Sequence, residues 1–405
     1  MERKVPLGIV VSITVLVSLT ILGLGSSQAF MDENCIRIGN VSPLTGPGGS
    51  YAFQAFGGMK IAVDEINKKG GVLVQGKGVP LKIVPKDGYD SGTDTGQTIA
   101  LYSKLCEEDK VLAVVHCVTS GETDALYKSM ASRGVKVPTI SNLSSAGNVA
   151  SYTPYGFRYS INEVKEIAKL LKLLHDKFNI RTAALVLEKD SRYAAMTADE
   201  AFIPGAKNAG ISILETITVL SKDKDFSSQA AKLRELKADM IMVSTFAASG
   251  AYVVKEAYRR GFRPKVIVGC NGTNSPEYIS IGGKGAEGTI MRSGYNDKLP
   301  GAAQIDAEFQ KRYKEKMNFF GACGYESIIG VTKAIEVAKI KNTPESLQED
   351  RQKVRDALTS IEIFTFAGNK KFEEDRELWK PSVSVVIRDG DFKIWDEKEL
   401  PPISR

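Results

Sequence analysis

Three runs of small hydroxyl residues and glycine carry the first chemical signal in the sequence. They are Ser42-Pro43-Leu44-Thr45-Gly46-Pro47-Gly48-Gly49-Ser50-Tyr51, Val118-Thr119-Ser120-Gly121-Glu122-Thr123 and Asn142-Leu143-Ser144-Ser145. Each follows a short apolar run and precedes a helix-like stretch, so each places hydroxyls and unpaired backbone amides at a helix start. Such groups suit a carboxylate, because the amide donors and the helix dipole both favour negative charge. Taken singly, each run is explained by helix capping, for which Ser and Thr are preferred. Three of them at one sheet edge favour binding. His116 and Cys117 adjoin the second run and could be read as a base with its nucleophile. Neighbouring residues of a strand point to opposite faces, which makes a catalytic pair improbable and leaves His116 to line a cleft or cap the strand. Tyr325-Glu326 reads as a helix start that could edge the same cleft, and Lys370-Lys371 as solvated surface.

The elements that must position these loops alternate regularly. Strand-like runs at Ile36–Val41, Leu81–Pro85, Val111–Val115, Ala183–Leu187, Met240–Ser244 and Lys265–Gly269 are separated by segments with apolar residues three or four apart. The latter include Phe56–Asn67, Thr95–Glu107, Thr123–Arg133, Val164–Phe178, Ala195–Ala209, Ser227–Leu236 and Ala251–Arg260. Strand then amphipathic helix, repeated, means parallel sheets covered on both faces, and ligands of such sheets gather beyond the carboxyl ends of the strands. Basic residues followed by glycine close several helices, at Lys69-Gly70, Arg133-Gly134 and Arg260-Gly261. The pattern pauses near Tyr155–Ser160 and restarts, which marks a boundary between two units. Thr289–Gly294 and Ile361–Ala367 are candidates for two further crossings, and Ser382–Trp395 reads as a hairpin turning at Asp389-Gly390.

Composition narrows the classes. The 405 residues are 25% charged and 43% apolar, the balance of a folded protein long enough for two domains. A net charge of +6 spread along the chain does not form the concentrated basic patch that nucleic-acid binding needs. Two histidines and five widely spaced cysteines argue against a metal centre. Cys35 and Cys106 are expected at one sheet edge and are the pair expected to form a disulfide. The N-terminus has a basic start, an apolar run from Val5 to Leu24 and the small-residue stop Ser27-Gln28-Ala29. This is an export signal with cleavage expected after Ala29, the alternative being an uncleaved anchor of membrane-spanning length.

Ile38-Gly39-Asn40-Val41-Ser42-Pro43-Leu44-Thr45-Gly46, then Gly57-Gly58-Met59, Ala62-Val63-Asp64-Glu65-Ile66-Asn67 and Gly70-Gly71-Val72, resemble the opening of the leucine/isoleucine/valine-binding family of periplasmic solute-binding proteins. Lys86-Asp87-Gly88-Tyr89-Asp90, Pro138-Thr139-Ile140-Ser141, Tyr155-Gly156-Phe157-Arg158, Lys224-Asp225-Phe226-Ser227 and Ala286-Glu287-Gly288 extend the resemblance, in order, along nearly the whole chain. It implies an α/β fold of two doubly wound parallel-sheet lobes joined by three crossover strands. The implied division is residues 30–156 with 292–362 for the N-terminal lobe and 157–291 with 363–405 for the C-terminal lobe, after a signal peptide at 1–29. It further implies a non-enzymatic receptor without cofactor that closes on an amino acid or related carboxylate and delivers it to the membrane permease of an ABC transporter. By position, Thr119, Ser120, Ser144 and Ser145 would hold the ligand carboxylate, Tyr51, Tyr193 and Phe246 would wall the cleft, and Asn271 stands where amino-acid binders place an acid for the ligand ammonium. A neutral Asn271 leaves Asn162 or Glu163 to supply that charge. Without it, a keto acid or aromatic acid fits better. A ligand sensor on the same fold is the alternative role.

Overall fold

A computed structural model describes residues 34–378 and 380–400. The N-terminal run Val5–Leu24 and the cleavage position after Ala29 lie outside them. Among the described residues no helix is long and apolar enough to cross a membrane.

The first half builds a parallel sheet of five strands. β1 (Ile36–Ser42), β4 (Leu81–Asp90), β5 (Ala113–His116), β6 (Thr139–Ser141) and β7 (Gly156–Arg158) lie in the order β4-β1-β5-β6-β7, with β2 (Val72–Val74) and β3 (Lys77–Val79) forming a separate ribbon. β1 is buried almost throughout, as a strand covered on both faces must be. Helix α1 (Gly49–Lys68) follows β1, α2 (Thr95–Glu107) follows β4 and α3 (Ser120–Ser132) follows β5.

Beyond β7 the strand-helix series restarts with α4 (Glu163–Phe178) and a second sheet. Its strands are β8 (Thr182–Glu188), β9 (Ser212–Val219), β10 (Met240–Ser244), β11 (Val266–Gly269), β12 (Thr289–Ser293), β13 (Val383–Arg388) and β14 (Asp391–Ile394). Their order is β14-β13-β12-β11-β10-β8-β9, parallel from β9 to β12 and antiparallel across β12, β13 and β14. The helices are α5 (Arg192–Thr197), which runs through a π-turn into α6 (Ile203–Ala209), then α7 (Ser227–Leu236), α8 (Ala247–Arg259) and α9 (Pro276–Gly282). The expected C-terminal hairpin is β13–β14, turning through Asp389 and Gly390, both at positive φ.

The chain then returns. α10 (Ala302–Tyr313), α11 (Phe319–Ala338) and α12 (Leu347–Ser360) pack back toward the first sheet, α11 directly on α1. Two glycines set that approach: a Cβ on Gly58 would lie 2.0 Å from the Gly321 carbonyl oxygen, and one on Gly324 1.9 Å from that of Ala55. The helices therefore meet backbone to backbone, and a side chain at either position would force them apart. The result is two doubly wound α/β lobes.

Some expectations fail. All five cysteines are free thiols, and all are buried. Cys106 packs with Tyr102, Leu105 and Val111 under the first sheet, its thiol pushed up to about 11 chiefly by burial, and forms no bond with Cys35. Tyr325 and Glu326 stand within α11 rather than at a helix start, Tyr325 donating to Glu65 and Glu326 pairing with Lys380. Residues 361–367 form no named strand and make one isolated bridge, Ile363 to Lys370, whereas Thr289–Ser293 is a full strand of the second sheet.

Candidate ligand-binding site

The loops beyond the strand ends of the first sheet face those of the second, and one small cavity lies between them. Tyr51, Thr119, Ser120, Leu143, Tyr193, Phe246, Asn271, Gly272 and Phe320 line it, and its volume is about 20 Å³. That is room for roughly one water molecule, so the lobes stand closed. A cleft of about 180 Å³ opens outward from it past Thr119, Tyr193 and Phe246 toward Glu188 and Arg192.

On the first-lobe side the hydroxyl loops are fixed by each other. Thr119 begins α3, and both its backbone N–H and its hydroxyl donate to Glu122 Oε2 at 3.0 Å. Ser91 and Thr98 bind the other oxygen of that carboxylate at 3.0 and 2.8 Å. Ser120 Oγ accepts from the Ser145 backbone N–H at 3.2 Å, which joins the two hydroxyl loops and leaves the Ser120 proton available as a donor. Ser145 and Ser144 stand behind the cavity wall rather than on it. Ser145 Oγ donates to Glu163, and Ser144 Oγ is buried without a partner.

The second lobe contributes rings and one carboxylate. Phe246, the residue before α8, packs between Tyr51 and Tyr193 at centroid distances of 5.5 and 5.3 Å. Tyr51 crosses the gap: its hydroxyl donates to the Gly272 carbonyl at 2.6 Å and accepts from the Ala247 amide at 2.9 Å. Phe320, at the start of α11, meets Tyr51 edge-on at 5.1 Å. Asn162 caps α4 by accepting from Lys165 N, so Glu163 takes the first helical position and turns toward the site. Glu163 accepts from the Asn271 backbone N–H at 2.5 Å, from the Tyr193 hydroxyl at 3.1 Å and from Ser145 Oγ. Burial raises its pKa above the ordinary carboxylate range, against the pull of those three donors. Among the described residues it makes no ion pair with a lysine or arginine.

His116 does not line the cavity. It is fully buried beneath the first sheet, edge-on to Tyr127 at 5.7 Å, and burial holds its pKa down at about 3. Cys117 turns to the opposite face, beside Asn40 and Met59. The structure thus gathers Tyr51, Thr119, Ser120, Tyr193, Phe246 and Asn271 around one cavity and sets Ser144 and Ser145 one layer back. Leu143, Gly272 and Phe320 complete the wall without having been singled out in the sequence. Phe320 arrives only through the return of α11 over α1, which has no local signature.

Comparison with known proteins bears on the family and the fold. The family described as periplasmic binding protein matches residues 35–391. The chain is 26% identical over 380 residues to Leu/Ile/Val-binding protein homolog 3 of Brucella melitensis, covering 93% of this chain and 94% of that one. It is 24% identical to a leucine-, isoleucine-, valine-, threonine- and alanine-binding protein of Pseudomonas aeruginosa, covering 87% and 90%. Among solved structures, the substrate-binding protein LivJ of Streptococcus pneumoniae with isoleucine superposes with a TM-score of 0.76 at 22% identity, over 89% of this chain and 98% of the other. A solute-binding protein of Rhodopseudomonas palustris with 3,4-dihydroxybenzoic acid gives 0.73 at 20% identity, over 89% and 95%.

Proposed function

The chain belongs to the periplasmic binding protein family, and from that premise we propose that it is the exported receptor of an ABC importer, binding one amino acid between its lobes and presenting the closed form to the permease. The lobes follow the expected division, 30–156 with 292–362 and 157–291 with 363–405, except that β7 (Gly156–Arg158) stays whole in the first lobe and β12 (Thr289–Ser293) in the second, and the signal segment at 1–29 is cleaved or retained as an anchor. The role is binding and not catalysis. Ser120, supported by Thr119, Ser144 and Ser145, holds the ligand carboxylate, while Tyr51, Tyr193 and Phe246 enclose its side chain.

Glu163 carries the reading. A buried carboxylate with three hydrogen-bond donors and no cation paired with it, the nearby Arg158 charge being committed to Glu377, is costly to keep charged, and its pKa is raised accordingly. A ligand ammonium supplies the missing countercharge, which compensates Glu163 for the solvation it lacks. The aromatic walls also favour a second reading, an aromatic or keto acid bound beside protonated Glu163, and pH separates the two. Charged Glu163 attracts an ammonium and repels a lone carboxylate. Affinity for an amino acid therefore rises as pH climbs through the raised pKa of Glu163, and affinity for an acid without an amino group falls.

The test is calorimetric titration of the purified protein with leucine, isoleucine, valine and threonine, beside benzoate and the 2-oxo analogue of leucine, from pH 5 to 8. Binding of an amino acid that strengthens with pH, and that Glu163→Gln weakens at least tenfold at pH 7.5, supports the first reading. Binding confined to the acids, strengthening as pH falls, replaces it with the second.

A further inference from the structure

Every other side-chain polar group on the cavity wall has a partner within the protein. The Tyr51 and Tyr193 hydroxyls, the Thr119 hydroxyl and Ser120 Oγ are each bonded as described above. Asn271 is the exception. It is 3% exposed, it lines the cavity, and neither its Nδ2 nor its Oδ1 meets any donor or acceptor.

Its backbone is fixed from both sides. The Asn271 N–H is bound to Glu163, and its carbonyl accepts from Asn274 N at 3.0 Å in a short turn after β11. The following Gly272 is wedged so closely that a Cβ would lie 2.1 Å from the Thr245 carbonyl oxygen and 2.9 Å from the Tyr193 ring. A turn pinned in this way presents the Asn271 amide from one place.

From this we infer that Asn271 reads an uncharged polar group, a hydroxyl or carboxamide, on the side chain of the ligand, and that the site prefers such amino acids over branched aliphatic ones of equal size. This rests on the amino-acid reading above and deepens it. An amide offers two donors and one acceptor. Both atoms are shut off from solvent in the closed form, so a ligand that takes the cavity must meet them or leave buried polar atoms unmet. A methyl group in that position cannot. Sites that hydrogen-bond a substrate group discriminate strongly against the analogue that lacks it, whereas an apolar pocket discriminates less and in the opposite sense, favouring the methyl over the hydroxyl. The aromatic walls supply apolar contact to either kind of ligand, so the discrimination falls on Asn271.

The experiment measures dissociation constants for three size-matched pairs, threonine with valine, asparagine with leucine, and glutamine with methionine, on the wild type, Asn271→Leu and Asn271→Ala. In at least one pair the polar member is expected to bind about tenfold or more tightly to the wild type, and the ratio is expected to fall toward one in both variants. If Asn271 instead holds the ligand ammonium, both members of a pair weaken together and the ratio persists, which overturns the inference. Apolar members that match or exceed their partners in all three wild-type pairs overturn it without any variant. Failure of every amino acid to bind the folded wild type, checked by its thermal transition, removes the amino-acid reading itself and this inference with it.

Discussion

Two ion pairs between distant parts of the chain use the same chemistry in opposite surroundings. Lys380, on the segment that leads into β13, pairs with Glu326 of α11, and both side chains are essentially buried, at 1% and 0% exposure. Lys380 also lies 3.2 Å from Cys323 Sγ and over the Tyr159 ring at 4.6 Å. Glu326 receives the Phe366 backbone N–H at 2.7 Å. At the outer mouth of the cleft, Arg192 of the second lobe reaches Asp124 of the first at 2.7 Å, with Arg192 63% exposed. Water competes for the second pair at every moment and for the first not at all. On the proposed division Glu326 and Lys380 belong to different lobes, so in the proposed closure the buried pair fastens the connection about which the lobes turn and the exposed pair the mouth that parts and rejoins.

The largest effect that could break this comparison is at the buried pair. Lys380→Met leaves Glu326 charged in a dry site, and removal of one member of such a pair costs about 3–5 kcal/mol. Urea unfolding of the variant is expected to show a loss of that size, and the double replacement Lys380→Met with Glu326→Gln is expected to recover much of it. A loss below about 1 kcal/mol would place the pair in the same class as the exposed one.

A second buried group sharpens the contrast through pH. His116 is neutral in the folded protein down to a pKa of about 3, because burial excludes its charged form, whereas an unfolded histidine titrates near 6.5. Between those values the unfolded chain binds the extra proton. His116 therefore costs no stability above about pH 6.5, and stability is lost as pH falls from there toward 3, by roughly 3 kcal/mol near pH 4. His116→Leu is expected to flatten the stability profile over that window while leaving other acid-titrating groups to act. An unchanged slope would mean that the ring finds a proton acceptor or water in the folded state.

The same division separates what the sequence makes legible from what it hides. Alternating strands and helices, the restart after Tyr155–Ser160 and the C-terminal hairpin follow from periodicity and turn residues, so they are readable locally. The first-lobe loops are readable too, since capping residues such as Thr119 and Glu122 mark helix starts. Glu163 is harder: adjacent Asn162 and Glu163 both suit a helix start, and only the cap taken by Asn162 turns Glu163 inward. Gly324 before Tyr325-Glu326 resembles a helix boundary, but its purpose is the close crossing on α1, which depends on a partner more than 250 residues away. The absence of a Cys35–Cys106 bond is likewise a matter of tertiary packing, which spacing does not encode.

The smallest effect expected is at the exposed pair, and there it should appear in motion more than in stability. Asp124 is 5% exposed and shared by Lys128 at 2.9 Å, so it keeps one partner when Arg192 leaves. The Arg192 stem lies across the first turn of α3 at Gly121, where a Cβ would approach its Cδ to 2.7 Å. A partly exposed pair of this kind contributes about 0.2–1 kcal/mol, and that contribution exists only while the lobes are closed. Arg192→Ala should therefore leave the urea midpoint of the ligand-free protein nearly unchanged while speeding ligand release about two- to fivefold in stopped-flow measurements, since 1 kcal/mol is about a factor of five in a rate. Raising salt from 0.05 to 1 M should produce a similar acceleration in the wild type and little further change in Arg192→Ala, because screening removes an interaction the variant already lacks. Equal salt sensitivity in both proteins would show that some other contact fastens the mouth and that Arg192 merely lies across it.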